Sequence, residues 1–144
     1  MTPENIFSIA SSVALIGWII LIVLPFWRSS DKFIIGVIIT LFAIVYTGLI
    51  FSSFHFSDIQ KFNSLEGVED LFHSKLLLTA GWVHYLAFDL MTGLFIRNNA
   101  LKYGISHWLV IPCLLLTFML GPIGLLLFLL IRFIISKQYF ADNF

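Results

Sequence analysis

The residues best suited to chemistry stand together in Gly81-Trp82-Val83-His84-Tyr85-Leu86-Ala87-Phe88-Asp89, inside an otherwise apolar run. His84, Tyr85 and Asp89 can all give or take a proton. A charged side chain near the centre of a bilayer costs roughly 2.5–3.5 kcal/mol on insertion scales, so each polar residue there needs a reason. If the run is a helix centred near Leu86, His84 and Asp89 both lie within about 5 Å of mid-depth. They are about 140° apart around that helix, so they share one wide face rather than bond each other. Tyr85 precedes Asp89 by one turn. The assignment preferred here is Asp89 as acid and His84 as base, with Tyr85 and, from a later run, Thr117 as orienting groups; the reverse acid and base assignment stays open. Withdrawal from water disfavours the charged form of a carboxyl, which suits Asp89 to donate.

A later run supplies candidates to face them. Pairing Arg97 with His107 in depth sets Asp89 opposite about Leu115 and His84 opposite about Leu120, with Thr117 within reach of Asp89. Pro122 cannot donate to the Phe118 carbonyl, which leaves that acceptor free near His84. Gly121 and Gly124 permit close helix approach. Trp82, Phe88, Thr117, Phe118 and Gly121 therefore form the expected binding surface. A histidine bonded to a freed carbonyl is also an ordinary packing device, so His84 has a structural reading beside the catalytic one. By the same register Arg132 falls about 15 Å from Asp89 and snorkels to the interface.

A second constellation pairs His55 with Asp58 (i,i+3) and Glu69 with His73 (i,i+4). Two histidines with carboxylates could hold a divalent cation such as zinc. Solvated loop residues explain the same pattern, and no metal or other cofactor is assigned. No Gly-rich phosphate loop, nucleophile elbow or paired CxxC is present.

These side chains must be carried by membrane elements. Of 144 residues, 60% are hydrophobic and only 11% charged, and the mean hydropathy is +1.01. A soluble domain carries roughly 25% charged residues, so this chain lacks the polar surface to cover itself in water. Eight Lys+Arg balance eight Asp+Glu, which leaves no basic field for nucleic acid. Four apolar runs stand out, at about Ile6–Trp27, Phe33–Phe54, Leu76–Ile96 and Trp108–Ile135. Each has the roughly 20 residues a helix needs to cross the hydrocarbon core, and in lipid each must satisfy its own backbone. The first lacks a basic n-region and a small-residue cleavage site, so it is read as retained. The expected fold is all-α: a single transmembrane domain over residues 1–144, built as a four-helix bundle with both termini on one side.

The tight connection Arg28-Ser29-Ser30-Asp31-Lys32 makes the first two helices antiparallel neighbours. Between the second and third, Asn63 or Ser64 can cap a short helix, with Glu66 at capping-box spacing from Asn63. Leu65, Val68, Leu71 and Phe72 then share one face and Glu66, Glu69 and Asp70 the other, which predicts an amphipathic helix on the membrane surface. With four crossings the Lys/Arg tally is equal on the two sides, and the shortness of the two basic loops favours the termini outside.

Three segments together resemble a known family. They are Ser64-Leu65-Glu66-Gly67-Val68 with Leu71-Phe72; Gly81-Trp82-x-His84-x-Leu86-Ala87-Phe88-Asp89-Leu90 with Gly93; and His107-Trp108-Leu109-Val110-x-Pro112-Cys113-Leu114-Leu115-Leu116-Thr117-Phe118, closing on Gly121-Pro122-x-Gly124-Leu125-Leu126. They are similar to the abscisic-acid-deficient-four-like membrane proteins, over about Ser64–Leu130. The plant member of that family is needed to make neoxanthin from violaxanthin in chloroplasts. The absence of a transit peptide suggests a bacterial inner-membrane protein. The resemblance implies a membrane-embedded isomerase acting on a carotenoid or related terpenoid, among membrane lipids and without a redox cofactor. A carotenoid-binding or accessory membrane protein is the alternative, and a metal-dependent membrane enzyme the third. The oligomeric state is left open.

Overall fold

The computed structural model describes residues 1–27 and 29–137, and those residues are helical with no strand. Arg28, expected in the first basic loop, lies outside the described residues. Helix α1 spans Pro3–Val23: Thr2 caps it by accepting from the Asn5 amide, Pro3 needs no hydrogen bond at the first position, and Glu4 faces the positive end of the helix dipole. Pro25 ends it, because the residue before proline is pushed out of helical geometry. A second rod follows without interruption as α2 (Ser30–Phe33), a π-helical segment (Ile34–Ile39) and α3 (Thr40–Ser53). The Thr40 hydroxyl donates to the Ile35 carbonyl five residues back and satisfies an acceptor within the π turn. α1 and the Ser30–Ser53 rod are long and apolar enough to cross a membrane.

A 3-10 helix (Phe56–Asn63) and α4 (Leu65–His73) make the connection to the next long helix. Ser64, not Asn63, caps α4 by accepting from the Gly67 amide at 3.0 Å. Lys61 bridges Asp58 at 3.2 Å and Asp70 at 2.6 Å, tying the two short helices together. The expected amphipathicity holds in part. Leu71 is buried, Val68 is half-buried and Glu66 and Glu69 are exposed, but Leu65 turns outward.

Helix α5 spans Lys75–Lys102, longer than the apolar run within it. It ends in a Schellman motif, in which the Ile105 amide donates to the Ala100 carbonyl and the Gly104 amide to the Leu101 carbonyl. Gly104, at φ +63°, supplies the left-handed residue this motif requires. α1 and α5 run parallel: Glu4 pairs with Lys75 at one end, Trp82 Nε1 donates to Ser11 Oγ in between, and Arg97 reaches the Pro25 carbonyl at the other. Small residues bring the two together, since a Cβ at Gly17 would meet Leu90 and one at Gly93 would meet Leu21 and Trp18.

The last apolar run departs from expectation. It is not one crossing helix but two short ones, α6 (His107–Leu120) and α7 (Pro122–Ser136), joined at Gly121. At about 1.5 Å per residue each is near 21 Å long, too short to cross a core of roughly 30 Å. Gly121 has φ +40°, Pro122 has no amide to continue the ladder, and the chain reverses. Gly124 packs directly on Thr117 and the Cys113 carbonyl of α6. On the way back the Phe128 ring meets Phe95 edge-on at 6.5 Å, and Arg132 Nη1 donates to Asn99 Oδ1 at 2.8 Å. α7 therefore returns to the Lys102 end of α5, from which α6 set out. Arg132 lies at that end, only 5% exposed, rather than snorkelling beside the start of α5. α1 begins at the end opposite to where α7 finishes, which corrects the expectation of both termini on one side.

This hairpin has a distance signature. Spin labels at Leu101 and Ile135, both exposed, are expected to lie close together, while labels at Phe7 and Ile135 stand about 30 Å or more apart. A single crossing helix would reverse that order. Two glycines separate packing from backbone freedom. Gly124→Ala pushes a Cβ into the Thr117 backbone and is expected to cost about 1–3 kcal/mol. Gly48→Ala, with nothing near its added Cβ, should gain about 0.5–1 kcal/mol in an α-helix. Thermal melts of the two variants moving the same way would contradict the α6–α7 contact.

Candidate functional site

Asp89 sits midway along α5, is 8% exposed, and faces the tip of the hairpin. Its Oδ1 lies 3.0 Å from where a Gly121 Cβ would stand, a tight contact, and the φ of +40° at Gly121 itself favours glycine. Its Oδ2 is buried and has no hydrogen-bond partner among the described residues. Tyr85, one turn earlier on α5, is near enough to interact with this carboxyl but makes no hydrogen bond to Oδ2. Tyr85 in turn lines an open groove of about 730 Å³ between α1 and α5, beside Phe7, Phe72, Leu78 and Trp82. The aromatic wall is continuous: the Phe7 and Trp82 rings are 5.0 Å apart, and those of Trp82 and Tyr85 5.4 Å. Glu4 and Lys75 stand at its outer end.

The other expected residues divide around α5. His84 is exposed on the far side of the helix, where its ring packs on Phe88 at 4.5 Å and on Tyr46 at 5.6 Å. It lines a second groove of about 460 Å³ with Tyr46, Ile50, Phe54, Phe62 and Leu77. His84 and Asp89 therefore do not share one cavity facing the last apolar run. Thr117 is fully buried, but its hydroxyl donates to the Cys113 carbonyl of its own helix at 2.8 Å and is covered by Gly124 rather than turned to Asp89. Phe118 packs edge-on against Trp18 at 5.6 Å. Of the expected residues of the last run, Gly121 lies against Asp89. Trp82 is in the first groove with Tyr85, and Phe88 is exposed beside His84.

The four metal candidates do not converge. Asp58 Oδ2 accepts from the His55 backbone amide at 2.9 Å, which makes the pair a helix cap. That bond, together with Lys61, holds the Asp58 carboxyl below its ordinary pKa. His73 Nδ1 lies 3.0 Å from the Glu69 carbonyl within α4. Among the described residues no three histidine, cysteine or acidic side chains gather as a metal site would need.

Some residues with evident roles were not singled out by spacing. Arg97, expected in a loop, is 4% exposed and donates to Ser30 Oγ at 2.6 Å, with Asp31 as its ion-pair partner. Asp31 also accepts from Asn98 at 2.9 Å, so α5 is pinned to the start of the second rod. Tyr46 and Phe72 line the second groove. Tyr46 carried a signal, as a hydroxyl inside an apolar run; Phe72 carried none beyond its place on the apolar face of α4.

No curated protein and no solved structure matches the chain. A family model described as ABA DEFICIENT 4-like matches residues 5–128, and so takes in both N-terminal rods as well as Asp89, Tyr85, His84 and the Gly121 turn. The likeness read from the segments after Ser64 thus extends through the first half of the chain, and the protein belongs to the ABA DEFICIENT 4-like family.

Proposed function

We propose that this is an integral membrane protein that binds a lipid-soluble isoprenoid of the carotenoid class and isomerises it by proton transfer. The supporting observation is the continuity from Asp89 through Tyr85 to an aromatic groove. A buried carboxyl with an unpartnered oxygen is a poor structural element and a good proton reservoir, and Tyr85 links it to the space where a ligand fits. Pockets for small molecules are mostly apolar with a few placed polar groups, which describes this groove.

With an epoxide-bearing end group seated there, the Tyr85 hydroxyl protonates the epoxide oxygen as the carbon–oxygen bond breaks, and the bonding pair stays on oxygen. Asp89 restores the tyrosine proton. A proton leaves the neighbouring polyene carbon, and its electron pair becomes the new double bond of an allene. One proton enters the ligand and one leaves, so no oxidant or reductant is consumed. Family membership favours this class of reaction.

In a bilayer the hairpin is a re-entrant element, tolerated because its turn is buried against α5. It also redistributes charge. Among the described residues Lys32, Arg97, Lys102, Arg132 and Lys137 lie at or near one end, against Lys61 and Lys75 at the other. The positive-inside rule then places the Lys102 end in the cytoplasm. The grooves and the N-terminus face outward.

In membranes that accumulate violaxanthin, Asp89→Asn and Tyr85→Phe should each lower product formation by about a hundredfold or more, with little change in melting temperature. Activity that falls only in step with stability would give Asp89 a packing role. Pigment that co-purifies with the unmodified protein but is never turned over would make it a binding protein. For orientation, single cysteines replacing Thr2 and Lys137 in a Cys113→Ser background should react with an impermeant reagent from opposite faces, Thr2 from outside. Labelling of the Lys137 site from outside would overturn the assignment.

A further inference from the structure

The two grooves on either side of α5 share two lining residues, Phe72 and Gly81. Phe72 reaches over from α4, and its Cε1 lies 2.8 Å from where a Gly81 Cβ would stand. One aromatic ring resting on one bare stretch of helix is thus the partition between them. Phe72 is 46% exposed, so the ring is held on one side only. Gly81 matters here for its missing side chain: any larger residue would turn the partition into a fixed ridge. Tyr85 lines the first groove and His84 the second.

We propose that the two grooves are halves of a single site gated by Phe72, and that one elongated apolar ligand lies across Gly81 and meets Tyr85 and His84 together. The proposal rests on the carotenoid reading given above and deepens it. Each groove has the volume of an ordinary small-molecule pocket, roughly 300–1,000 Å³, whereas the two in line suit a longer molecule. The polar groups are spaced for an oxygenated polyene: Glu4 and Lys75 at the outer mouth, Tyr85 beyond them, then His84 with Tyr46 across the partition. The lining between these points is mostly apolar or aromatic, with the Ser8 and Thr79 side chains in the first groove. His84 then has the role that its separation from Asp89 denied it. Adjacent residues on a helix point about 100° apart, so a ligand curving over Gly81 presents one atom to the Tyr85 hydroxyl and a neighbouring carbon to the His84 imidazole. The proton that leaves the polyene carbon passes to His84. His84, which is exposed, then releases it to solvent, and Asp89 takes one up again through Tyr85, so each turnover returns both groups to their starting state.

Two probes test this in the purified full chain: violaxanthin, which needs both grooves, and β-ionone, a single end ring that needs one. Gly81→Leu should weaken violaxanthin binding about tenfold or more and leave β-ionone binding intact, which also reports that the variant is folded. Should the leucine beside Phe72 prevent folding, the double variant Gly81→Leu, Phe72→Ala gives the side chain room and should block violaxanthin equally. Phe72→Ala alone should bind violaxanthin at least as tightly as the unmodified protein. His84→Gln should lose turnover about a hundredfold or more while violaxanthin still binds. Violaxanthin binding untouched by Gly81→Leu would overturn the joined site while leaving the carotenoid reading in place. Failure of the unmodified protein to bind either probe would overturn both.

Discussion

A carboxyl group held in the middle of an apolar bundle must be met by something, and Asp89 is met by the turn of the α6–α7 hairpin. Helix ends are where backbone polar groups go unpaired, so the turn between α6 and α7 is a more polar neighbour for a carboxyl group than the middle of a helix. Gly121 eases the approach, because an added Cβ would stand in tight contact, 3.0 Å, with Oδ1. The return of the chain, and with it the place of Arg132 at the Lys102 end, goes with this contact.

The hairpin reaches only as far as Asp89. Below that level, towards Lys102, α1, the second rod, α5, α6 and α7 pack together, with Trp18, Phe42, Leu90, Ile96, Leu114 and Phe128 all buried, and surface pockets of about 570 Å³ beside Arg97 and His107 and about 460 Å³ beside Phe95 and Asn98 remain between them. Arg97 and Arg132 close that end through Ser30, Asp31 and Asn99. Above that level the hairpin contributes nothing, and α1, α3, α4 and α5 alone must enclose the same cross-section. They leave it partly open. Both grooves lie in this upper half, and none of their lining residues comes from α6 or α7. The two grooves that flank Tyr85 and His84 thus lie where the hairpin does not reach.

Much of this was legible from residue types and spacing. Long apolar runs imply helices, a serine before an amphipathic stretch implies the α4 cap, and a lone aspartate in such a run implies an interior position. The reversal at Gly121 was not legible in the same way. The run from Trp108 to Ile135 is long enough to cross a bilayer once as well as to go halfway and back, and hydropathy is indifferent between the two. Gly121-Pro122 near its middle and Arg132 near its far end were the available signals, since a kinked span explains the first but leaves the second without a partner. The separation of His84 from Asp89 follows from the 140° between them once α3 and the hairpin occupy different sides of α5. Which side each would take depends on tertiary packing that spacing along one helix does not encode. The four metal candidates failed for a related reason, because each pair was set by a single helical turn while nothing set the pairs against each other.

The central claim is that the last apolar run turns back to lay Gly121 against Asp89. It is tested most directly by solid-state NMR on the unmodified protein in lipid, with carbon label in the Asp89 carboxyl and at the Gly121 Cα. The hairpin predicts a separation of about 5 Å, the sum of the observed approach and one bond. A straight crossing helix that sets Asp89 level with Leu115 would carry Gly121 six residues, about 9 Å, further along its axis, and a separation of that size or more would contradict the account.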